Sequence, residues 1–111
     1  METQVLFDIL ADATRRRILS LLNSRGELCV CELMAALNES QPKVSRHLSV
    51  MKEAALVQAR REGTWMHYRL ATLPSWTSDL LTALSSGAGA DLKNDLKRLK
   101  AMGPRPERFA A

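Results

Sequence analysis

The chain has 111 residues, enough for one hydrophobic core and too few for two full domains. A formal net charge of +4 and an isoelectric point near 9.5 suit a nucleic-acid partner without requiring one. No run is long and apolar enough to span a bilayer, and Glu2 and Asp8 flank the first apolar residues, so neither a membrane nor a secretory route is expected.

With two cysteines and no signal peptide, the expectation is reduced thiols in a cytoplasmic protein rather than a disulfide framework. Nothing repeats internally. The pattern up to Gly26 reads as two helices. Val5, Leu6, Ile9 and Leu10 form an apolar stripe on the first, which so small a chain is not expected to cover alone. Asp12 is a capping residue for the second, whose inward side is Ile18, Leu19, Leu21 and Leu22. Arg15, Arg16 and Arg17 crowd the first turns against the dipole preference, as a solvated face or as a phosphate contact.

Leu28 to Asn38 is expected to form a short third helix with Val30, Leu33, Met34 and Leu37 as its core stripe. Cys29 and Cys31 lie just outside that stripe. A tight Asn38-Glu39 connection leads to Ser40-Gln-Pro-Lys-Val-Ser-Arg-His-Leu48, the stretch around which the chain is organised. Ser40 is a good N-cap, and Pro42 falls in the first turn, where its missing N–H costs nothing. Val44, Leu48, Met51 and Ala55 make the buried stripe of this helix. Its other face carries Lys43, Ser45, Arg46, Ser49 and Glu53, cationic and hydroxyl-rich toward the N-terminus. A short helix, a tight turn and such a helix give the order of a helix-turn-helix, whose second member enters the major groove by its N-terminal residues. Ser45 and Arg46 are the leading candidates for base or phosphate contact, with Gln41, Lys43 and His47 supporting.

Two strand-like runs follow, Val57 to Arg61 and Trp65 to Leu70, joined by Glu62-Gly-Thr64, where Gly63 supplies the positive φ of a tight hairpin. A basic hairpin directly after a reading helix is a wing, and Arg60 and Arg61 are expected to reach phosphate or the minor groove. His67 reads as a surface or hydrogen-bonded strand residue rather than a metal ligand. Pro74 opens the next helix, with Trp76, Leu80, Leu81 and Leu84 on its apolar side. Apolar-faced helices at both ends of a small fold suggest a symmetric dimer in which Trp76, Leu80 and Leu84 meet Leu6, Ile9 and Leu10. Ser85 to Gly89 reads as a flexible break, Leu92 to Met102 as one more amphipathic helix, and Arg105 to Ala111 as a disordered tail. The expected architecture is mainly α with a small β-hairpin, a homodimeric winged helix-turn-helix. Its units are residues 1–86, for DNA binding and dimerisation, and residues 87–111, the break, last helix and tail.

Four stretches, Leu10-Ala-Asp-Ala-Thr-Arg-Arg-Arg-Ile18, Glu27-Leu-Cys-Val-Cys-Glu-Leu33, Ser40 to Leu48, and Arg61-Glu-Gly-Thr-Trp-Met-His-Tyr-Arg-Leu70, together resemble the ArsR/SmtB family of winged-helix metalloregulators. The resemblance covers about residues 3–84 and leaves the last helix unmatched. It implies a homodimeric repressor that sits on double-stranded operator DNA until an ion releases it, with no enzymatic activity and no permanent cofactor. The Cys29-Val-Cys31 segment is similar to the arsenic-sensing version of the third helix, which implies trivalent arsenic or antimony as inducer. The best-known arsenic pattern has a third cysteine where this chain has Met34. The family's zinc sites need histidines and carboxylates where Trp76 to Leu84 offers only Asp79.

Soft thiolates select thiophilic ions. At a helix start, free N–H groups are expected to lower the pKa of Cys29. On a regular helix, residues two apart point about 200° apart, so one ion takes both sulfurs only if the first turn unwinds or is already extended. A thiol redox sensor of the same fold is the alternative, and a Cys-Val-Cys oxidoreductase lacks any accompanying general base or substrate motif.

Overall fold

The structure is a computed structural model that describes residues 2–87 and 89–103. Six helices and three strands follow one another as α1 (Thr3–Leu10), α2 (Ala13–Arg25), β1 (Glu27–Cys29), α3 (Val30–Leu37), α4 (Gln41–Glu53), β2 (Val57–Glu62), β3 (Trp65–Leu70), α5 (Ser75–Gly87) and α6 (Gly89–Met102). The strands form one antiparallel sheet in the order β1-β3-β2. The winged helix-turn-helix is present, with α3 and α4 as its helix pair and β2–β3 as its wing.

Local chemistry sets the boundaries. The Asp12 carboxylate accepts the Arg15 backbone N–H at 3.0 Å and caps α2. Gly26 ends that helix at φ 87°, a left-handed turn where a Cβ is disfavoured. Asn38 closes α3 at φ 54°, as the residue next most tolerant of that conformation. Gly63 turns the wing at φ 61°. Ser40 stands at the N-cap of α4 in extended conformation, yet its hydroxyl makes no capping bond. Pro42 and packing hold this end instead.

The arginine run of α2 serves the fold. Arg15 donates to the Ile9 and Asp8 carbonyls at 2.9 and 3.1 Å, and Arg16 to the Leu10 carbonyl at 2.6 Å. These are the last carbonyls of α1, which have no partners within that helix. A run read as solvated face or phosphate contact is in large part a cap for the preceding helix.

The core gathers Leu6, Ile18, Leu19, Leu21, Leu22, Leu33, Leu48, Met51, Leu56 and Leu81, all essentially inaccessible to solvent. Leu6, Ile9 and Leu10 are buried inside a single chain, so α2 covers much of the stripe that was expected to need a partner.

The structure departs from the sequence reading in the following places. Glu27–Cys29 is a strand, so α3 begins at Val30 rather than Leu28. Edge pairing to β3 satisfies the Glu27–Cys29 backbone and outweighs one more helical turn. Of the expected break at Ser85–Gly89, the described residues are helical, because α5 continues to Gly87 and α6 starts at Gly89. There the Ser85 and Ser86 hydroxyls donate to the Leu81 and Thr82 carbonyls. Finally, α6 packs against α2 and α3 and places Leu99 in the same core. The tail read as disordered lies outside the described residues.

Candidate nucleic-acid interface and thiol pair

Val44, Leu48 and Met51 pin α4 to the core, which leaves the opposite face to solvent. On it the Gln41 amide donates to the Ser45 hydroxyl at 3.0 Å, holding both side chains over the first turn. Lys43 pairs with Glu39 at 2.9 Å, one turn earlier. Arg46 is exposed and, among the described residues, makes no ion pair. It is the cation of this face most available to a phosphate or a base edge.

His47 departs from its expected role. It is only 5% exposed, and its Nε2 faces the Asp12 carboxylate at 3.9 Å, while Nδ1 meets no partner among the described residues. Burial lowers its pKa, with Asp12 opposing and Arg15, Arg46 and Lys43 adding to the depression. The imidazole is tucked against the cap of α2, behind the exposed face of α4.

The two wing arginines differ as well. Arg60 donates to Glu27 at 2.6 and 3.3 Å and to Glu62 at 3.2 Å, and these carboxylates raise its pKa. Glu27 is correspondingly lowered, chiefly by the hydrogen bond from Arg60. Arg61, one residue on, is exposed without an ion pair among the described residues. Among the described residues Arg61 and Arg46 are therefore cations without an ion pair, whereas Arg60 already holds two anions. His67 is buried on β3, 3.6 Å from Glu62 and 4.0 Å from Glu27, and lies opposite Cys29 on one side and Arg60 on the other. Glu27 and Glu62 escaped the sequence reading, because only the pairing of β1 with β3 brings Glu27 to the wing.

The cysteines flank the junction of strand and helix. Cys29 is the last residue of β1 and the N-cap of α3, extended at φ −85° and ψ 167° and fully buried. Cys31 sits in the first turn of α3, exposed, and both thiols are free. Glu32 closes a capping box in which its carboxylate accepts the Cys29 N–H at 2.9 Å and its own N–H faces the Cys29 sulfur. The Cys-x-x-Glu spacing was the available signal for this box, with a thiol in the usual hydroxyl position. The expected fall in the Cys29 pKa does not occur. Burial pushes the thiol up to about 11, against the helix N–H of Glu32, and the Glu32 carboxylate adds to the rise. Met34 is half-buried against the core. Among the described residues no group of three or more His, Cys, Asp and Glu side chains forms a ready metal site.

Trp76 is 45% exposed on α5, with Leu80 and Leu84 half-buried on the same helix, and Phe7 is 52% exposed on α1. No helix among the described residues is long and apolar enough to cross a membrane.

A helix-turn-helix whose exposed face carries Arg46, unpaired among the described residues, followed by a wing that carries Arg61 in the same condition, defines a winged-helix DNA-binding regulator. Residues 12–59 match the model of the bacterial regulatory protein, arsR family. The chain is 46% identical over 104 residues, 93% of its length and 90% of the other's, to the arsenic resistance transcriptional regulator ArsR2 of Pseudomonas putida. It belongs to the arsR family. Among solved structures, HlyU of Vibrio cholerae superposes with a TM-score of 0.66 at 30% identity, over 76% of this chain and 94% of that one. The AntR antimony-specific transcriptional repressor does so with a TM-score of 0.63 at 34% identity, over 78% of each chain.

Proposed function

We propose that this protein is a homodimeric, cytoplasmic repressor that leaves its operator when trivalent arsenic or antimony binds Cys29 and Cys31. The observation that carries the reading is the placement of the two sulfurs across the β1–α3 junction. Cys29 is already extended, so helix spacing alone does not set the pair, and only the turn of Cys29 out of the core separates the two sulfurs from a shared ion. The names of the Pseudomonas putida relative and of the antimony-specific repressor support the choice of ion.

Ligation balances without a redox partner. Each thiol proton leaves with one hydroxyl of arsenous acid as water, two As–S bonds replace two As–O bonds, and the third position keeps hydroxide, an exogenous thiol or a methyl group. Cys29 must leave its buried place to reach the ion beside exposed Cys31, which opens the capping box with Glu32. α3 then loses its N-terminal anchor, and the short Asn38–Ser40 connection carries the change to α4. An ion that prefers the opened arrangement shifts the population away from the DNA-competent one.

Gln41, Lys43, Ser45, Arg46 and Arg61 would contact DNA, and His47 supports α4 from behind. Phe7, Trp76, Leu80 and Leu84 would form the dimer face, backed by Leu6, Ile9 and Leu10. The test is fluorescence anisotropy of a labelled operator titrated with arsenite, methylarsenite and antimonite under reducing conditions. Release by arsenite, and by methylarsenite at least as readily, supports two-sulfur chelation. Release by a thiol oxidant with no response to any metalloid would establish the redox alternative instead.

A further inference from the structure

The last helix has no role in the reading above, yet it carries the most buried carboxylate among the described residues. Asp95 on α6 is 1% exposed. Both its oxygens accept from Arg17 of α2, at 2.7 and 2.9 Å, and one also accepts from Arg98, one turn further along α6. The two guanidiniums so fixed point at the end of α3. Arg98 donates to the Ala36 carbonyl at 2.8 Å and Arg17 to the Leu37 carbonyl at 3.3 Å. These carbonyls belong to the last turn of α3 and have no partners within that helix.

We infer that α6 is a clamp that sets how much metalloid is needed for release, with Asp95 as its positioning residue. The inference rests on the proposal that ligation at Cys29 and Cys31 moves α3. That helix has only eight residues, too few to persist unaided, so its two ends are held by other groups. The Cys29–Glu32 box holds the N-terminal end, and Arg17 and Arg98 hold the C-terminal end next to α4. Ligation undoes the first. The second remains and opposes any displacement of α3 that would carry the reading helix with it. Part of the binding energy of the ion is spent against this clamp, so a weaker clamp lets less ion suffice.

The experiment is operator release by arsenite, followed by anisotropy, in the full chain and in Asp95→Asn, Arg98→Gln and Arg98→Lys, with thermal melting alongside. Asp95→Asn should lower the half-release concentration about tenfold, the factor that matches about 1.4 kcal/mol and lies within reach of a charged hydrogen bond. Arg98→Gln, which spares the Arg17–Asp95 pair, should shift it in the same direction by a smaller factor. Arg98→Lys, which keeps a cationic donor, should restore part of the difference. Operator affinity without arsenite should stay within about twofold while the resting arrangement dominates. If Asp95→Asn does not fold, Arg98→Gln alone decides. A lower melting temperature with an unmoved half-release concentration would reduce the clamp to a structural role and overturn the inference, as would a shift to higher arsenite. A wild-type protein that arsenite does not release would instead remove the proposed function, whatever the variants do.

Discussion

Two arginines that look equivalent in the sequence should behave oppositely on DNA. Arg46 has no ion pair among the described residues, so its charge is available to the operator at no cost in broken contacts. Arg60 is held by Glu27 and Glu62, and reaching a phosphate would exchange one anion for another. Arg46→Ala removes one contact per protomer. Each lost base or phosphate contact costs about 1–3 kcal/mol, or about 5- to 150-fold in affinity, and the dimer loses two of them. Each neutralised phosphate contributes about 0.9 to the slope of log K against log salt, so a dimer should lose about 2 units of slope if the contact is to phosphate. Arg60→Ala should leave operator affinity within about threefold, because exposed pairs of this kind contribute little. Operator anisotropy from low to moderate salt measures both quantities. A larger loss in Arg60→Ala than in Arg46→Ala would show that the Glu27 pair breaks on DNA, and the ranking drawn from the free protein would fail.

Further outcomes follow from burial. With its pKa raised to about 11, Cys29 is thiolate in only about one molecule in a thousand at pH 8. Iodoacetamide should therefore label Cys31 first and Cys29 much later, with the gap closing in urea; equal rates in the native protein would refute the buried position. The same shift means that stability attributable to this thiol is intact below pH 9.0, the ordinary thiol value, and declines as pH climbs toward about 11. His47 has the opposite sign. Its depressed pKa gives stability that is present above the ordinary value of 6.5 and is lost as pH falls toward the folded value. Urea melts at pH 7.5 and 5 should show the decline, and His47→Gln should flatten it; an equally steep decline in the variant would assign the acid sensitivity elsewhere. Replacing exposed Trp76 by Arg should drive the protein to monomer in sedimentation with little loss of thermal stability, and an intact dimer would move the interface off α5.

What the sequence discloses here is local, and what it conceals depends on distant partners. Pro42 and the Val44–Leu48–Met51 spacing announce α4, and Gly63 announces the wing, because the determining residues lie within one turn of each other. Strand β1 is only three residues long, and its partner β3 lies about forty residues further on, so no period within Glu27–Cys29 reveals it. The sign expected for the Cys29 pKa failed for a separate reason, since Cys29 does stand at the start of α3. A helix start favours thiolate, but tertiary burial of this thiol outweighs it. Within the arginine run of α2, Arg17 is concealed for the same reason as β1, whereas Arg15 and Arg16 reach back only six or seven residues. Arg17 meets Asp95 across 78 positions, and neither residue's surroundings hint at the other. Leu6, Ile9 and Leu10 formed an apolar stripe that fits either the chain's own core or a partner, and only the packing of α2 distinguishes the two.

We propose that Cys29 and Cys31 act together on one ion. This is tested most directly by measuring arsenite-driven release of labelled operator from Cys29→Ser and Cys31→Ser proteins in reducing buffer. Serine is close in size and is a good N-cap, so both variants should fold and bind operator as the parent does. A single thiolate cannot hold arsenic against competing thiols, so both should stay bound at arsenite concentrations that fully release the parent. A Cys29→Ser protein that leaves the operator on addition of arsenite would contradict the two-sulfur mechanism.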